Sequence, residues 1–272
     1  MVRALCATVI AAATLFAFAA NDVARPQKGA APVEVVKEFA PTGTLRAAIN
    51  VGNVLYAQKD PKTGELRGIT PDLARALAQR LGVPIEFVTF DASARVFAAL
   101  KSGVWDLAFM AIEPERANEV AFSPAYMVIE GTYVVQAGSP LRSIADVDRE
   151  GIRVAVGKGS AYDLYLTRTV KRMQLVRAAT SADALDQFLT DKLDAAAGVR
   201  QRLAAFAARR PGLRVMDDSF HAIQQAMGTP RGRDAAARYL RSFVEEMKAS
   251  GFVADSLKRS GQDATVAPPA TK

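Results

Sequence analysis

The sequence ALKSGVWDLAFMAIEPERANEVAFSPAY, which runs from Ala99 to Tyr126, contains a helix end, a tight turn, a buried strand and the start of another helix. The segment from Asp106 to Ile112 is almost entirely apolar, which is typical of a strand covered on both faces. A helix is predicted to begin at Pro114, so that Arg116 lies in its first turn. A fixed cation just past the end of such a strand is well placed to meet a small anion.

Strand-like and helix-like segments alternate from Leu45 onward, which is the pattern of an α/β fold. The segment LTDKLDAAAGV, which ends at Val199, repeats the order seen in LKSGVWDLAFMA: a Leu at a helix end, a polar turn, an Asp and an apolar strand. This echo suggests two lobes of similar build.

The motifs around Arg116 resemble the signature of a known family. A Leu-x-x-Gly-x-x-Asp turn precedes the strand, and Pro-x-Arg and then Ala-Phe-Ser-Pro-Ala-Tyr follow it. From about Thr44 to Gly261, the chain is similar to the periplasmic solute-binding proteins of amino-acid type, the bacterial extracellular solute-binding proteins of family 3. The resemblance implies a two-lobed periplasmic-binding-protein fold of type II. Each lobe would have a central, mostly parallel sheet flanked by helices, and two hinge crossings would join the lobes.

The first twenty residues are typical of a secretory signal. Arg3 precedes a largely apolar run without a charged residue, which ends in Ala17-Phe18-Ala19. We therefore expect cleavage near Ala19 or Ala20 and a periplasmic protein. A membrane anchor is the alternative, because the run is at the lower edge of spanning length.

The rest of the chain is divided by turn signals and by the resemblance. We expect hinge crossings near Tyr133–Gly138 and His221–Met227. The predicted segments are a leader at 21–43, lobe 1 at 44–135 and 225–261, lobe 2 at 136–224, and a flexible tail at 262–272.

The composition of the chain limits the partners and the bound groups that can be expected. The 272-residue chain has a formal net charge of +7, but its basic residues are scattered and do not alternate with aromatics. This indicates a solvated basic surface, and no nucleic-acid partner is expected. Cys6 lies in the predicted signal and is the single cysteine of the sequence, and His221 is its single histidine. We therefore expect no disulfide, no metal and no cofactor in the mature protein, which we expect to be a monomer.

Arg116 is the leading candidate for ligand binding. The resemblance implies that its guanidinium holds a ligand carboxylate through two parallel hydrogen bonds. The alternative is an Arg that is solvated or paired with Glu113 or Glu119. Asn53 and Tyr56 follow the first strand, where lobe 1 of the family approaches its ligand; each is equally compatible with a turn or packing role.

The segment before Arg116 departs from the family pattern. Asp106 lies ten residues before Arg116, two fewer than the family's usual spacing, and the missing residues would fall in the loop that offers hydroxyls. The residues that take their place are apolar, so the pocket is predicted to be more apolar unless these side chains only fill the core. They are Phe109, Met110, Ala111 and Ile112.

The turn Gly157-Lys158-Gly159-Ser160 resembles the point at which the second lobe of the family presents backbone amides to the ligand carboxylate. Unpaired N–H groups at a helix start suit an anion. Gly159, Ser160, Ala161 and Tyr162 are the expected contacts. Capping of a helix requires the same residue types, so a purely structural turn is the alternative.

The acid that pairs with a substrate ammonium in amino-acid binders is missing. The position that would carry it is Val199, next to Gly198. We therefore expect a carboxylate with a weakly polar or apolar body, unless Glu130 or Asp91 supplies the acid. Arg200 follows and would add a second positive contact, or would be solvated at a helix start.

The resemblance implies a binding protein, and not an enzyme, that delivers a small carboxylate to the membrane permease of an ABC importer. The carboxylate would be an amino acid, an amino-acid derivative or an organic acid. The alternative is a periplasmic dehydratase that acts on a cyclic carboxylate on the same scaffold, with Glu113 as the candidate acid near Arg116.

Overall fold

The computed structural model describes residues 31–262 and 264–271. The predicted signal at 1–20, with Cys6, and the first part of the predicted leader lie outside these residues. Within the described ranges, no helix has both the length and the apolar character that a bilayer-spanning helix needs.

Strands and helices alternate along the described part of the chain. The strands are β1 (Leu45–Asn50), β2 (Gln58–Lys59), β3 (Leu66–Arg67), β4 (Ile85–Phe90), β5 (Leu107–Ala111), β6 (Val120–Gln136), β7 (Arg153–Gly157), β8 (Gln174–Ala178), β9 (Ala195–Val199), β10 (Leu213–Val215), β11 (His221–Pro230) and β12 (Thr265–Val266). The α-helices are α1 (Val33–Phe39), α2 (Ile69–Leu81), α3 (Ser93–Ala98), α4 (Pro114–Ala117), α5 (Ile144–Val147), α6 (Ala161–Thr169), α7 (Ser181–Thr190), α8 (Arg200–Ala208), α9 (Asp234–Ala249) and α10 (Phe252–Arg259).

Each lobe is built on a set of parallel strands. In lobe 1, β1 lies between β4 and β5 and is parallel to both. In lobe 2, β7 lies between β8 and β9 and is again parallel to both. The antiparallel strands β6 and β11 connect the two sets, which gives the order β4-β1-β5-β11-β6-β9-β7-β8. The predicted two-lobed α/β architecture is confirmed.

The first crossing between the lobes lies inside one strand of 17 residues, β6. This strand pairs with β11 as far as Gly131 and with β9 of lobe 2 from Gly131 onward. Tyr133 therefore already lies in lobe 2, and the predicted crossing near Tyr133–Gly138 is too late. No turn marks the crossing in the sequence, because β6 continues through it. The return strand β11 contains the predicted segment His221–Met227.

An aspartate joins the first and third parallel strands at the same point of each lobe. In lobe 1, the Arg46 N–H donates to Asp106 Oδ2 (3.3 Å), and the Asp106 N–H donates to the Arg46 carbonyl (2.8 Å). In lobe 2, the Arg153 N–H donates to Asp194 Oδ2 (2.7 Å), and the Asp194 N–H donates to the Arg153 carbonyl (3.0 Å). The short echo in the sequence therefore corresponds to an equivalent contact in the two lobes.

Part of the predicted leader belongs to the fold. Helix α1 buries Val35 and Phe39, which lie one turn apart. Glu38 Oε2 accepts a hydrogen bond from the N–H of Ala236 in the first turn of α9 (2.7 Å). The structure therefore places the predicted leader from α1 onward against lobe 1. The seven residues of α1 form about two turns, which is too short to show a clear periodicity in the sequence.

The predicted flexible tail also contacts the lobes. Thr265 and Val266 form β12, which pairs antiparallel with Val128 and Met127 of β6. The side chain of Ala267 is buried. The structure therefore places this part of the predicted tail on β6. The sequence did not indicate the contact, since backbone hydrogen bonds to an existing strand do not require an apolar sequence.

Replacement of Asp106 by Ala is predicted to destabilise the protein by about 3 kcal/mol, the lower end of the range for breaking a buried ion pair. Asp106 is fully buried and accepts from Arg46 Nε (2.7 Å) and Arg233 Nη1 (2.8 Å). The change leaves both guanidinium groups without their carboxylate. Urea unfolding measures the difference. Asp186→Ala, at an exposed position of α7, is the control and should shift the free energy of unfolding by less than about 0.5 kcal/mol. Equal effects of the two changes would contradict this role of Asp106.

Candidate functional site

A cavity of about 40 Å³ lies between the two lobes. It is placed where the carboxyl ends of parallel strands meet helix starts, which is the usual position of a ligand site in α/β folds. Eight of the residues predicted to bind ligand line it: Asn53, Tyr56, Ala111, Arg116, Ser160, Ala161, Tyr162 and Val199.

Arg116 is held between the lobes by two carbonyl oxygens. Its side chain is only 1% exposed. Nη1 donates to the carbonyl of Ala111 at the end of β5 (3.2 Å), and Nη2 donates to the carbonyl of Gly159 in lobe 2 (2.9 Å). A guanidinium has five N–H donors, so these two bonds leave capacity for a ligand.

No ion pair joins Arg116 to a carboxylate within the described ranges, so the alternative pairing with Glu113 or Glu119 does not form there. Burial lowers the pKa of Arg116 below its ordinary value. Burial also raises the pKa of Tyr56 far above its ordinary value, although the nearby charge of Arg116 opposes this shift. Tyr56 therefore stays a neutral phenol, and Arg116 stays a desolvated cation that Glu113 and Glu115 favour from a distance, without an ion-pair contact.

The turn before α6 uses its backbone amides within the protein, whereas the sequence predicted that they would meet the ligand. The Gly159 N–H donates to Asp163 Oδ2 (2.8 Å), and the N–H groups of Lys158 and Ser160 donate to the carbonyls of Ala178 (2.9 Å) and Gly157 (3.1 Å). The amides expected to meet a ligand are thus already bonded. Gly159 is absent from the cavity lining and contributes its carbonyl to Arg116 instead.

The start of α6 still faces the cavity. The Ser160 hydroxyl accepts from the Asp163 N–H (3.1 Å) and so caps the helix. Ala161 and Tyr162 supply the first two N–H groups of α6, which have no acceptor within the helix. The Tyr162 hydroxyl donates to Ser181 Oγ (2.6 Å). This helix start offers donors from Ala161 and Tyr162, not from Gly159.

Three predicted site residues lie in the core. Phe109 packs edge-to-face against Tyr126, with ring centroids 6.2 Å apart, and Met110 packs in a separate core that includes Trp105. A Cβ at Gly198 would lie 2.8 Å from Leu203, so this glycine backs onto packed side chains. The structure therefore places these three residues outside the cavity lining. Met110 lies on the opposite face of β5 from Ala111, and Phe109 shares the face of Ala111 but lies farther from the end of the strand that lines the cavity.

The acid missing at Val199 is not supplied within the cleft by Glu130. The carboxylate of Glu130 accepts from Arg200, whose other donors bond the carbonyls of Met216 and Asp217. Arg200 therefore stabilises lobe 2 and does not line the cavity. Asp91 does line it, but it is half exposed and ion-paired with Arg95 (2.7 Å).

Several lining residues were not predicted. The cations among them are Lys158 and Arg202, and the neutral side chains include Asn50, Ser181 and Gln225. Arg202 lies in the first turn of α8, two positions beyond Arg200, so helix position was the available signal for choosing between them. Gln225 lies in the return strand, where the sequence analysis predicted only a crossing.

Three arginines make contacts across the cleft. Besides Arg116, Arg202 of lobe 2 donates to the carbonyl of Gly52 in lobe 1. Arg168 of lobe 2 donates to Glu113 Oε2 (2.6 Å) and to both oxygens of Glu115 (2.8 Å). Burial tends to raise the pKa of Glu113, but nearby His221 and Arg168 outweigh it, so the pKa lies below its ordinary value.

Comparison with known proteins shows what this cleft resembles. The family model of the bacterial extracellular solute-binding proteins, family 3, matches residues 45–261. The chain belongs to this family. It is 24% identical to the glutamine-binding protein of Geobacillus stearothermophilus over 216 residues. The aligned residues cover 78% of this chain and 82% of that protein. The chain is 27% identical to the membrane-bound lytic murein transglycosylase F of Aeromonas hydrophila over 171 residues. This alignment covers 60% of this chain and 33% of that protein.

Solved structures share the two-lobed fold. A variant of ArgBP from T. maritima superposes with a TM-score of 0.71 at 23% identity, over 84% of this chain and 99% of that one. The ancestral amino acid-binding protein AncCDT-1, a precursor of cyclohexadienyl dehydratase, superposes with a TM-score of 0.69 at 24% identity, over 82% and 97%. The transglycosylase shows that a similar sequence also occurs in a protein that is named as an enzyme.

Replacement of Arg168 by Ala is predicted to separate the lobes of the ligand-free protein, because the change removes the ion pairs to Glu113 and Glu115. The distance between labels at Lys62→Cys in lobe 1 and Lys171→Cys in lobe 2, measured by pulsed electron paramagnetic resonance, should increase. Arg149→Ala is the matched control, since Arg149 pairs with Asp146 of its own lobe. An unchanged distance in the Arg168 variant would show that these ion pairs do not hold the lobes together.

Proposed function

We propose that this protein is the periplasmic substrate-binding protein of an ABC importer and captures a small carboxylate between its two lobes. Arg116 carries the proposal. A buried guanidinium that bonds two carbonyls and has no ion pair in the described part of the chain is costly to desolvate. A carboxylate bound by the remaining donors offsets that cost.

The charge of the cleft supports an anionic ligand. The lining side chains include three cations, Arg116, Lys158 and Arg202, and one carboxylate, Asp91. The carboxylate is already neutralised by Arg95, whereas the nearby helix start of α6 adds the positive end of a helix dipole. An anion enters such a site with a favourable interaction from several directions.

The names of the binding-protein relatives suggest an amino acid as ligand, and the proposal extends this to amino-acid derivatives and organic acids. With Val199 in place of an acid and Asp91 paired, a ligand ammonium has no free carboxylate partner among the lining residues. We therefore keep organic acids and modified amino acids ahead of the common free amino acids.

The alternative of a periplasmic dehydratase acting on a cyclic carboxylate rests on Glu113. Glu113 bonds Arg168, lies outside the cavity lining and has a pKa below its ordinary value. A carboxyl that is ionised at neutral pH is a poor proton donor. These observations favour binding over catalysis.

Export completes the proposal. The family is extracellular, and the predicted cleavage near Ala19 or Ala20 would release the protein into the periplasm. There it would act as a monomer and deliver its ligand to the permease subunits of the importer.

Replacement of Arg116 by Ala is predicted to weaken carboxylate binding by about 2–5 kcal/mol, or tens- to thousands-fold, because the bidentate charged contact is lost. Titration calorimetry with the acid selected by a thermal-shift screen of organic and amino acids measures this. Arg149→Ala is the control and should bind normally. Undiminished affinity of the Arg116 variant, with an unchanged unfolding temperature, would contradict the proposed function.

A further inference from the structure

Gln225 is a buried polar side chain whose amide has no hydrogen-bond partner among residues 31–262 and 264–271. The residue is 1% exposed, and within these ranges nothing bonds its Nε2 or its Oε1. Buried side-chain amides are normally bonded, because an unpaired donor or acceptor loses its hydration without compensation. A buried amide without hydrogen bonds therefore requires an explanation in the fold or in the function of the protein.

The strand geometry directs Gln225 to the cavity between the lobes. Ile223 and Gln225 lie two positions apart on β11, so they share a face of the strand, and both line the cavity. Gln224, between them, is exposed on the opposite face. The register shifts between Gln225 and Ala226, and such bulges re-aim side chains next to functional sites.

Gln225 also lies close to Arg116. Its backbone pairs with Ala111, and the Ala111 carbonyl accepts the hydrogen bond from Arg116 Nη1. The neighbouring lining side chains on these strands, Ala111, Ile129 and Ile223, are apolar and offer the amide nothing to bond. The amide of Gln225 and the guanidinium of Arg116 therefore line the same part of the cavity.

We infer that Gln225 is a specificity-determining residue that binds a neutral hydrogen-bonding group of the ligand, a hydroxyl or a carboxamide, while Arg116 binds its carboxylate. The inference rests on the proposed function. An amide presents one kind of donor and one kind of acceptor. An ammonium satisfies only Oε1, a second carboxylate satisfies only Nε2, and a hydrocarbon satisfies neither. A hydroxyl or a carboxamide satisfies both.

The first test needs no ligand. Gln225→Met keeps the length of the side chain and removes both unpaired polar atoms. The melting temperature of the ligand-free variant should be equal to that of the wild type or a few degrees higher, since nothing in the fold bonds the amide. Gln224→Met, on the exposed face of the same strand, is the matched control. A melting temperature lowered by several degrees only in the Gln225 variant would assign Gln225 to the fold and overturn the inference.

The second test compares two pairs of acids that differ in one neutral polar group. The pairs are 2-hydroxybutanoate with butanoate, and 4-carbamoylbutanoate with 5-methylhexanoate. The wild type and Gln224→Met should bind the polar acid of at least one pair about tenfold more tightly than its partner. Gln225→Met should lose this preference and still bind the apolar acids through Arg116.

The outcomes separate the two proposals. A preference that persists in Gln225→Met, or a wild type that binds both acids of each pair equally, overturns the role of Gln225 and leaves carboxylate capture intact. Failure of all four acids to bind the wild type counts against the proposed capture of small carboxylates. The melting temperatures would then still decide whether the fold or a ligand requires the amide of Gln225.

Discussion

The cleft is organised around a positive charge that is removed from water. Arg116 is 1% exposed, and its bonds to Ala111 and Gly159 tie it to both lobes. Carbonyl dipoles offset only part of the cost of burying a guanidinium. The surrounding groups offset the rest only in part: Tyr56 stays neutral, and Glu113 and Glu115, whose charges favour that of Arg116, are bonded to Arg168. The proposed carboxylate ligand would offset more of this cost.

The same charge links ligand binding to the relative position of the lobes. Arg116 extends from lobe 1 to a carbonyl of lobe 2, whereas Arg168 and Arg202 extend from lobe 2 to groups of lobe 1. A ligand favours the closed arrangement only to the extent that it binds that arrangement more tightly. An anion that contacts Arg116 from one lobe and the start of α6 from the other has this property, because separation of the lobes would remove one of its two partners.

Local motifs predicted part of the site, and long-range geometry decided the rest. Arg116 follows a buried strand within a few residues, so its position could be read from sequence. Phe109 and Met110 were predicted to line the pocket but do not, because the sequence does not show which residues of β5 reach the cavity. Asp163 at the third position of α6 could have signalled that the Gly159 amide is bonded. No motif in the sequence marks Gln225 as a lining residue, because its position opposite Ala111 depends on the pairing of strands far apart in the chain.

The central claim, that the cleft holds a small acid on Arg116, is tested most directly by native mass spectrometry of the protein purified gently from periplasmic extract. We expect one small molecule per chain, released on denaturation and carrying a carboxylate. A co-purified molecule that is cationic or has no acidic group would contradict it, because such a ligand would leave the buried guanidinium uncompensated.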